Sequence, residues 1–191
     1  NGFDFGLSYK LRTAGRGTFS LDTTWTKLNS FYRYDAPFLP RTELMETNLA
    51  AVSGASPKWR GNAQLTWKHK KLMAGVAMFY TGSFTLAGVN TSQAVYDSLG
   101  QPSYIKPVFT NGSTIYRMVH PDVTSYNVFA SCQLGGRNAS RWLRETSVRV
   151  GVNNVFDKEP PLSDDNNTYE PALYNTLAKG RIYSLTITKK L

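Results

Sequence analysis

One pattern recurs seven times along the chain: apolar and polar residues alternate with a period of two. The stretch "GFDFGLSYKL" at 2–11 sets Phe3, Phe5, Leu7, Tyr9 and Leu11 on one side. Asp4, Gly6, Ser8 and Lys10 fall on the other. Successive side chains of a strand point to opposite faces, so such a run specifies a two-faced strand and rules out an amphipathic helix. The same rhythm runs through 17–34, 58–68, 123–134, 144–156 and 181–191. In 58–68, Trp59, Ala63, Leu65 and Trp67 oppose Arg60, Asn62, Gln64 and Thr66. In 144–156, Val148, Val150 and Val152 oppose Arg149, Gly151 and Asn153. Segment 72–84 is apolar on both sides and resists phasing. The expected class is all-β, with antiparallel strands.

The connections alternate strictly between short and long. Those at about 12–16, 69–71 and 135–143 are short; those at about 35–57, 85–122 and 157–180 are long. In an up-and-down sheet alternate connections share an end, so one end carries tight turns and the other long loops. Unstructured loops of this length are unusual in compact domains. Short turns at one end and long loops at the other are the pattern of outer-membrane β-barrels.

Charge follows the same division. The net charge is +9, yet 11 of the 22 Lys and Arg lie at the short-turn end, from Lys10 to Lys190. Ten of the 13 acids lie in the long loops, among them Asp97, Asp157 and Glu170. A nucleic-acid binder concentrates its excess along one face, and no such motif is present, so no nucleic-acid partner is expected. Aromatics make up 13% of the chain and gather near strand ends, at Trp59, Trp67, Tyr80, Trp142 and Tyr183. That placement suits the interfacial girdles of a membrane barrel; filling the core of a soluble sandwich is the competing use. No run reaches the ~20 apolar residues of a membrane-spanning helix. Cys132 is the lone cysteine and excludes a disulfide. The chain opens in mid-strand, so it is expected to be part of a longer protein.

No catalytic constellation emerges, and the chain is not expected to be an enzyme or to carry a cofactor. His69 lies in a turn and His120 at a loop–strand junction, apart from each other. Asp164 and Asp165 in "SDDNN" are the one crowding of carboxylates. Oxygen ligands of that kind suit Ca²⁺, but Asp/Asn-rich turns more simply cap their own backbone. The Asn-x-Ser/Thr sites at Asn90, Asn111, Asn138 and Asn166 matter only in a eukaryotic secreted protein.

The C-terminal stretch narrows the class. "VRVGVNNVFDKEPP" is followed by a polar loop and then by "GRIYSLTITKKL". This resembles the C-terminus of TonB-dependent outer-membrane receptors, whose penultimate strand ends in a Gly-Val-x-Asn-Leu-Phe-Asp-Lys-like motif. Gly151, Val152, Asn154, Val155, Phe156, Asp157 and Lys158 carry the likeness, followed by Gly180, Arg181 and Tyr183. "ASPKWRGNAQLTWKHKKLMAGVAMFYTG" also resembles the family, with Pro57-x-x-Arg60 leading into a strand, a tight turn and a strand. Leu191 stands where the family usually ends in Phe, and Lys189 interrupts the apolar row before it.

The resemblance implies the last seven strands of a 22-stranded transmembrane barrel, its plug domain outside this chain. The long loops become extracellular and the turns periplasmic. It implies a place in the bacterial outer membrane, among its lipid and lipopolysaccharide. It implies active import of an iron chelate, corrinoid or glycan, driven by an inner-membrane TonB-type complex. A structural barrel subunit of a larger envelope assembly is the alternative; a soluble carbohydrate-binding sandwich and a passive porin follow. Ligand contacts are expected from the loop aromatics Tyr96, Tyr104, Tyr116, Tyr169 and Tyr174, and from Asn127 and Arg149 on the lumen wall. Asp22 and Gln64 are also expected to face the lumen.

Overall fold

A computed structural model describes residues 1–34, 36–38, 42–43, 45, 47–48, 57–86, 91–110, 112–135, 140, 143–163, 169 and 171–189. In chain order its strands are β1 (Gly2–Thr13), β2 (Gly17–Leu28), β3 (Tyr32–Arg33), β4 (Thr42–Glu43), β5 (Thr47–Asn48), β6 (Trp59–His69), β7 (Leu72–Thr81) and β8 (Phe84–Leu86). Helix α1 (Gln93–Ser98) follows, then β9 (Ile105–Thr110), β10 (Ser113–His120), β11 (Val123–Gln133) and β12 (Thr146–Asn153). Helix α2 (Pro171–Ala178) and β13 (Ile182–Lys189) complete it.

The period-two segments become one seven-stranded antiparallel sheet in the order β1-β2-β6-β7-β11-β12-β13. Its register carries a single phase across every ladder. Leu21 pairs Leu65, Leu65 pairs Val76, Val76 pairs Val128, Val128 pairs Val152 and Val152 pairs Tyr183. Directly paired residues share a face, so the apolar rows align into one apolar surface. The other face holds Ser8, Asp22, Gln64, Ala77 and Asn127 along one rung. Register resolves β7, the segment the pattern left unphased. Leu72, Ala74, Val76, Met78 and Tyr80 join the apolar face, while Phe79 points to the polar one.

The tight turns obey local chemistry. Residues 70–71 join β6 to β7, with Lys70 at φ 51°. At the start of β2, Gly17 has φ 95°, and a Cβ there would lie 2.9 Å from that of His69. Only glycine closes this corner without strain.

Two expected boundaries move. The second segment ends at Leu28 and does not continue to residue 34. Beyond it the amides of Asn29 and Ser30 donate to the carbonyl of Asn1, at 3.0 and 3.2 Å, and the next strand is β3. The 85–122 and 157–180 connections also carry structure. β5, β8, β10 and β9 form a four-stranded sheet, and both helices lie in these connections.

Burial is concentrated outside the main sheet. Phe84, Leu86, Ile105, Tyr116, Tyr174 and Leu177 are buried in the long connections, and Val123 is the one buried apolar residue of the seven main strands. Leu173 packs against both Phe84–Leu86 and Val123–Tyr174–Leu177, linking the clusters. The apolar face of the sheet is left open: Phe3 is 64% exposed, Leu185 66% and Tyr183 71%.

Candidate functional site

Helix α2 faces the polar side of the sheet, and the space between them is a cleft of about 560 Å³. Its sequence explains its position. Pro171 opens the helix, where its missing N–H costs no bond. Leu173 and Leu177 are four residues apart and share a face, and both line the cleft wall with Tyr174. Gly180, at φ 67°, supplies the left-handed turn that ends the segment.

Tyr174 anchors the helix. It is 1% exposed, and its ring stacks on His120 at 5.5 Å and 8°. His120 in turn stacks on Phe84 at 4.7 Å and 6°. Three flat rings therefore pin the roof of the cleft to β10 and β8.

The floor comes from five neighbouring strands, with Phe79 and Thr81 of β7 at its centre. Thr24 and Thr26 of β2, Arg60 and Asn62 of β6, Ser125 and Asn127 of β11 and Asn153 of β12 line it, and Thr176 and Lys179 contribute from the α2 segment. Arg60 and Lys179 are its charged groups, and no carboxylate lines it among the described residues. Amides, hydroxyls and two cations make a surface that donates hydrogen bonds to oxygen-rich, negatively charged groups.

The expected ligand residues separate into several places. Asn127 lies in the cleft, and its Oδ1 accepts the Asn154 N–H at 2.9 Å. Tyr174 lines the cleft as a helical core residue, which corrects its reading as a loop aromatic. Tyr169 packs behind it, against the Val123–Tyr174–Leu177 cluster. Tyr96 and Tyr116 pair with each other on α1 and β10, at 4.5 Å, and Tyr116 is buried. Tyr104 stands exposed and apart. Arg149 shares the polar face but sits nearer the turns, its guanidinium 4.0 Å above the Phe129 ring. Asp164 and Asp165 lie outside the described residues. Among the described residues no three His, Cys, Asp or Glu gather as a metal site.

Sequence reasoning assigned Arg60 and Asn62 to the same face as Gln64 but did not single them out. Their alternation with Trp59 and Gly61 was the available signal. Lys179 and Thr176 were missed with α2 itself, although Pro171, the Leu173/Leu177 spacing and Gly180 mark a helix with both ends.

The "NNVFDK" stretch serves a different purpose. Asn154 is 3% exposed and has φ 51°. Its Nδ2 donates to the Lys158 carbonyl at 2.9 Å, and its Oδ1 accepts the Lys158 N–H at 2.8 Å. Asp157, at φ 53°, accepts the Arg181 N–H at 2.8 Å. The Val155 N–H reaches the Tyr126 carbonyl at 2.9 Å. The motif thus ties the ends of β11, β12 and β13 together just beside the cleft. Arg181, at the head of β13, has its pKa raised above the ordinary arginine value, first by a hydrogen bond with Tyr183 and also by the Tyr183 and Asp157 charges. It remains cationic at every accessible pH.

No protein-family model matches the chain, and no curated protein matches it.

Proposed function

We propose that the chain forms seven strands of a transmembrane β-barrel in the outer membrane, the C-terminal part of a TonB-dependent receptor that imports a scarce nutrient. The observation that carries this reading is the apolar face, continuous in register across seven strands, exposed on β1 and β13 and largely half-buried on β2, β7 and β11. In water each large apolar side chain left uncovered forgoes about 1.5–3 kcal/mol of burial. Such rows on β1 and β13, continued by half-buried rows between them, suit a surface that meets hydrocarbon. A sandwich would place a second sheet there, and among the described residues the four-stranded sheet packs at the loop end instead.

Further support comes from the ends of the strands. Trp25 and Tyr80 adjoin at 5.7 Å on the loop side, and Trp67 donates its indole N–H to the Arg16 carbonyl at 2.8 Å on the turn side. Aromatic groups with satisfied polar tips suit the two membrane interfaces. The opposite face, with Asp22, Gln64 and Asn127, becomes the lumen wall. β1 and β13 are the edges of the sheet, and edges in hydrocarbon need partners; the remaining strands of a larger barrel supply them. The polar cleft at the loop end favours ligand capture over a purely structural barrel, because a wall without a ligand has no need of a roofed recess.

Uptake by cells carrying the protein tests the reading. Deleting the inner-membrane energiser is expected to abolish accumulation of the nutrient. Unchanged accumulation, or recovery of the protein in the soluble fraction without detergent, rules it out.

A further inference from the structure

We propose that the cleft beneath α2 receives a carboxylate flanked by hydroxyl groups, with Arg60 and Lys179 as the partners of its charge. This rests on the transport reading above, since it places the cleft at the outer mouth of the barrel.

The chemistry of the cleft restricts its occupant. Arg60 projects from the strand wall and Lys179 follows the roof helix, so positive charge meets the cleft from both sides. No acid lines it among the described residues. The carboxylate on the same rung, Asp4, lies two strands away and already accepts the Thr26 hydroxyl at 2.6 Å. A guanidinium presents a planar fork that matches a carboxylate in two parallel hydrogen bonds.

The remaining lining is neutral: Phe79, Val123, Leu173 and Leu177 give it an apolar part, beside a polar one. Asn62, Asn127, Asn153 and Thr24 offer amides and hydroxyls. Asn127 commits its Oδ1 to the Asn154 N–H, which leaves its Nδ2 as the donor it can offer. Donors of this kind pair with hydroxyl and ether oxygens beside the acid. The volume, about 560 Å³, falls within the ~300–1,000 Å³ of small-molecule sites. Two sources share this chemistry: an acidic sugar, and a metal chelate built on a hydroxycarboxylate. An uncharged glycan leaves both cations without a partner and is disfavoured.

The anion also couples wall to roof. A carboxylate held by Arg60 and Lys179 together bridges β6 and the α2 segment, so occupancy holds α2 against the sheet.

The test uses the protein expressed from its full reading frame and solubilised in detergent. Three probes are titrated: trigalacturonate, ferric citrate, and the neutral sugar maltotriose. Trigalacturonate or ferric citrate is expected to bind more tightly than maltotriose, and whichever binds identifies the source. Arg60→Gln is expected to weaken that binding by about tenfold or more, the scale of a lost charge-assisted hydrogen bond. Arg60→Lys restores part of it, and Lys179→Gln weakens it by a smaller factor. Protection of α2 from protease by the bound probe is read in parallel, and is expected to vanish in Arg60→Gln. The heat-modifiable gel shift of each variant establishes that it is folded. Preference for maltotriose, binding of none of the three, or equal affinity in wild type and a folded Arg60→Gln overturns the proposal. Carboxylate binding without energiser-dependent uptake would sink transport and leave this site standing; energiser-dependent uptake with no carboxylate preference would do the reverse.

Discussion

The two faces of the seven-stranded sheet are built by opposite rules. The apolar face ranges from half-buried to exposed and carries aromatic contacts such as Phe5–Trp59 and Tyr126–Phe156. The polar face is cross-linked and partly roofed. Ser8 donates to Asp22 at 2.7 Å, Thr26 to Asp4 at 2.6 Å, and Arg149 lies over Phe129. A Cβ on Gly75 would come within 2.6 Å of that same Phe129 ring, so the polar face is fitted even where it turns aromatic. The difference teaches that the chain's packing core is displaced to the loop end, and that the sheet itself relies on its surroundings for one face.

The strongest break in the comparison is to remove the roof. Tyr174→Ala deletes a fully buried aromatic and is expected to cost about 3–5 kcal/mol of docking energy for α2. Limited proteolysis within 171–178 should then become rapid while the strands stay resistant.

Adjacent residues on opposite faces sharpen it further. If the apolar face meets hydrocarbon as proposed, Val76→Arg places charge near its middle and should destabilise the protein in lipid by about 2–4 kcal/mol. Ala77→Arg, one residue on, should be tolerated to within about 0.5 kcal/mol. Urea unfolding from lipid vesicles measures both, and equal costs would mean that the faces are equivalent.

A smaller effect tests the motif at the sheet's end. Asn154→Ala removes a buried side chain that both donates to and accepts from Lys158, at an expected cost of about 1–3 kcal/mol. Amide exchange at Lys158 and Arg181 should accelerate first. The least change comes from one cross-link of the polar face. Ser8→Ala should lower stability by about 0.5–1 kcal/mol, and the loss should shrink as salt screens Asp22.

Much of the sheet was legible because period two is a local property. The segments 58–68 and 123–134 became β6 and β11 with ends moved by a residue or so. The polar row Asp22, Gln64, Asn127 and Arg149 was assigned to one face and shares it. What was not legible depends on contacts between distant residues. The strands β8 and β10 pair across a long separation, His120 with Phe84, so 85–122 reads as a loop until the partner is known. Tyr174 read as a loop aromatic because 157–180 carries no strand rhythm; α2 and the stack with His120 bury it. Arg60 was within reach of the alternation, but its importance arises only when α2 covers it.

The Asn154–Asp157 tie has a consequence for how the last strand finds its place. A one-residue slip of β13 against β12 would exchange Tyr183, Leu185 and Ile187 with Ser184, Thr186 and Thr188. Ladder hydrogen bonds alone barely oppose such an error, since a slipped antiparallel pair regains most of them. Asp157 grips the Arg181 N–H one residue before β13 begins, and works as an indexing pin set outside the ladder. The final strand is thereby counted from a fixed origin before its side chains meet any solvent, which makes this short turn a proofreader of which face the C-terminus shows to the outside.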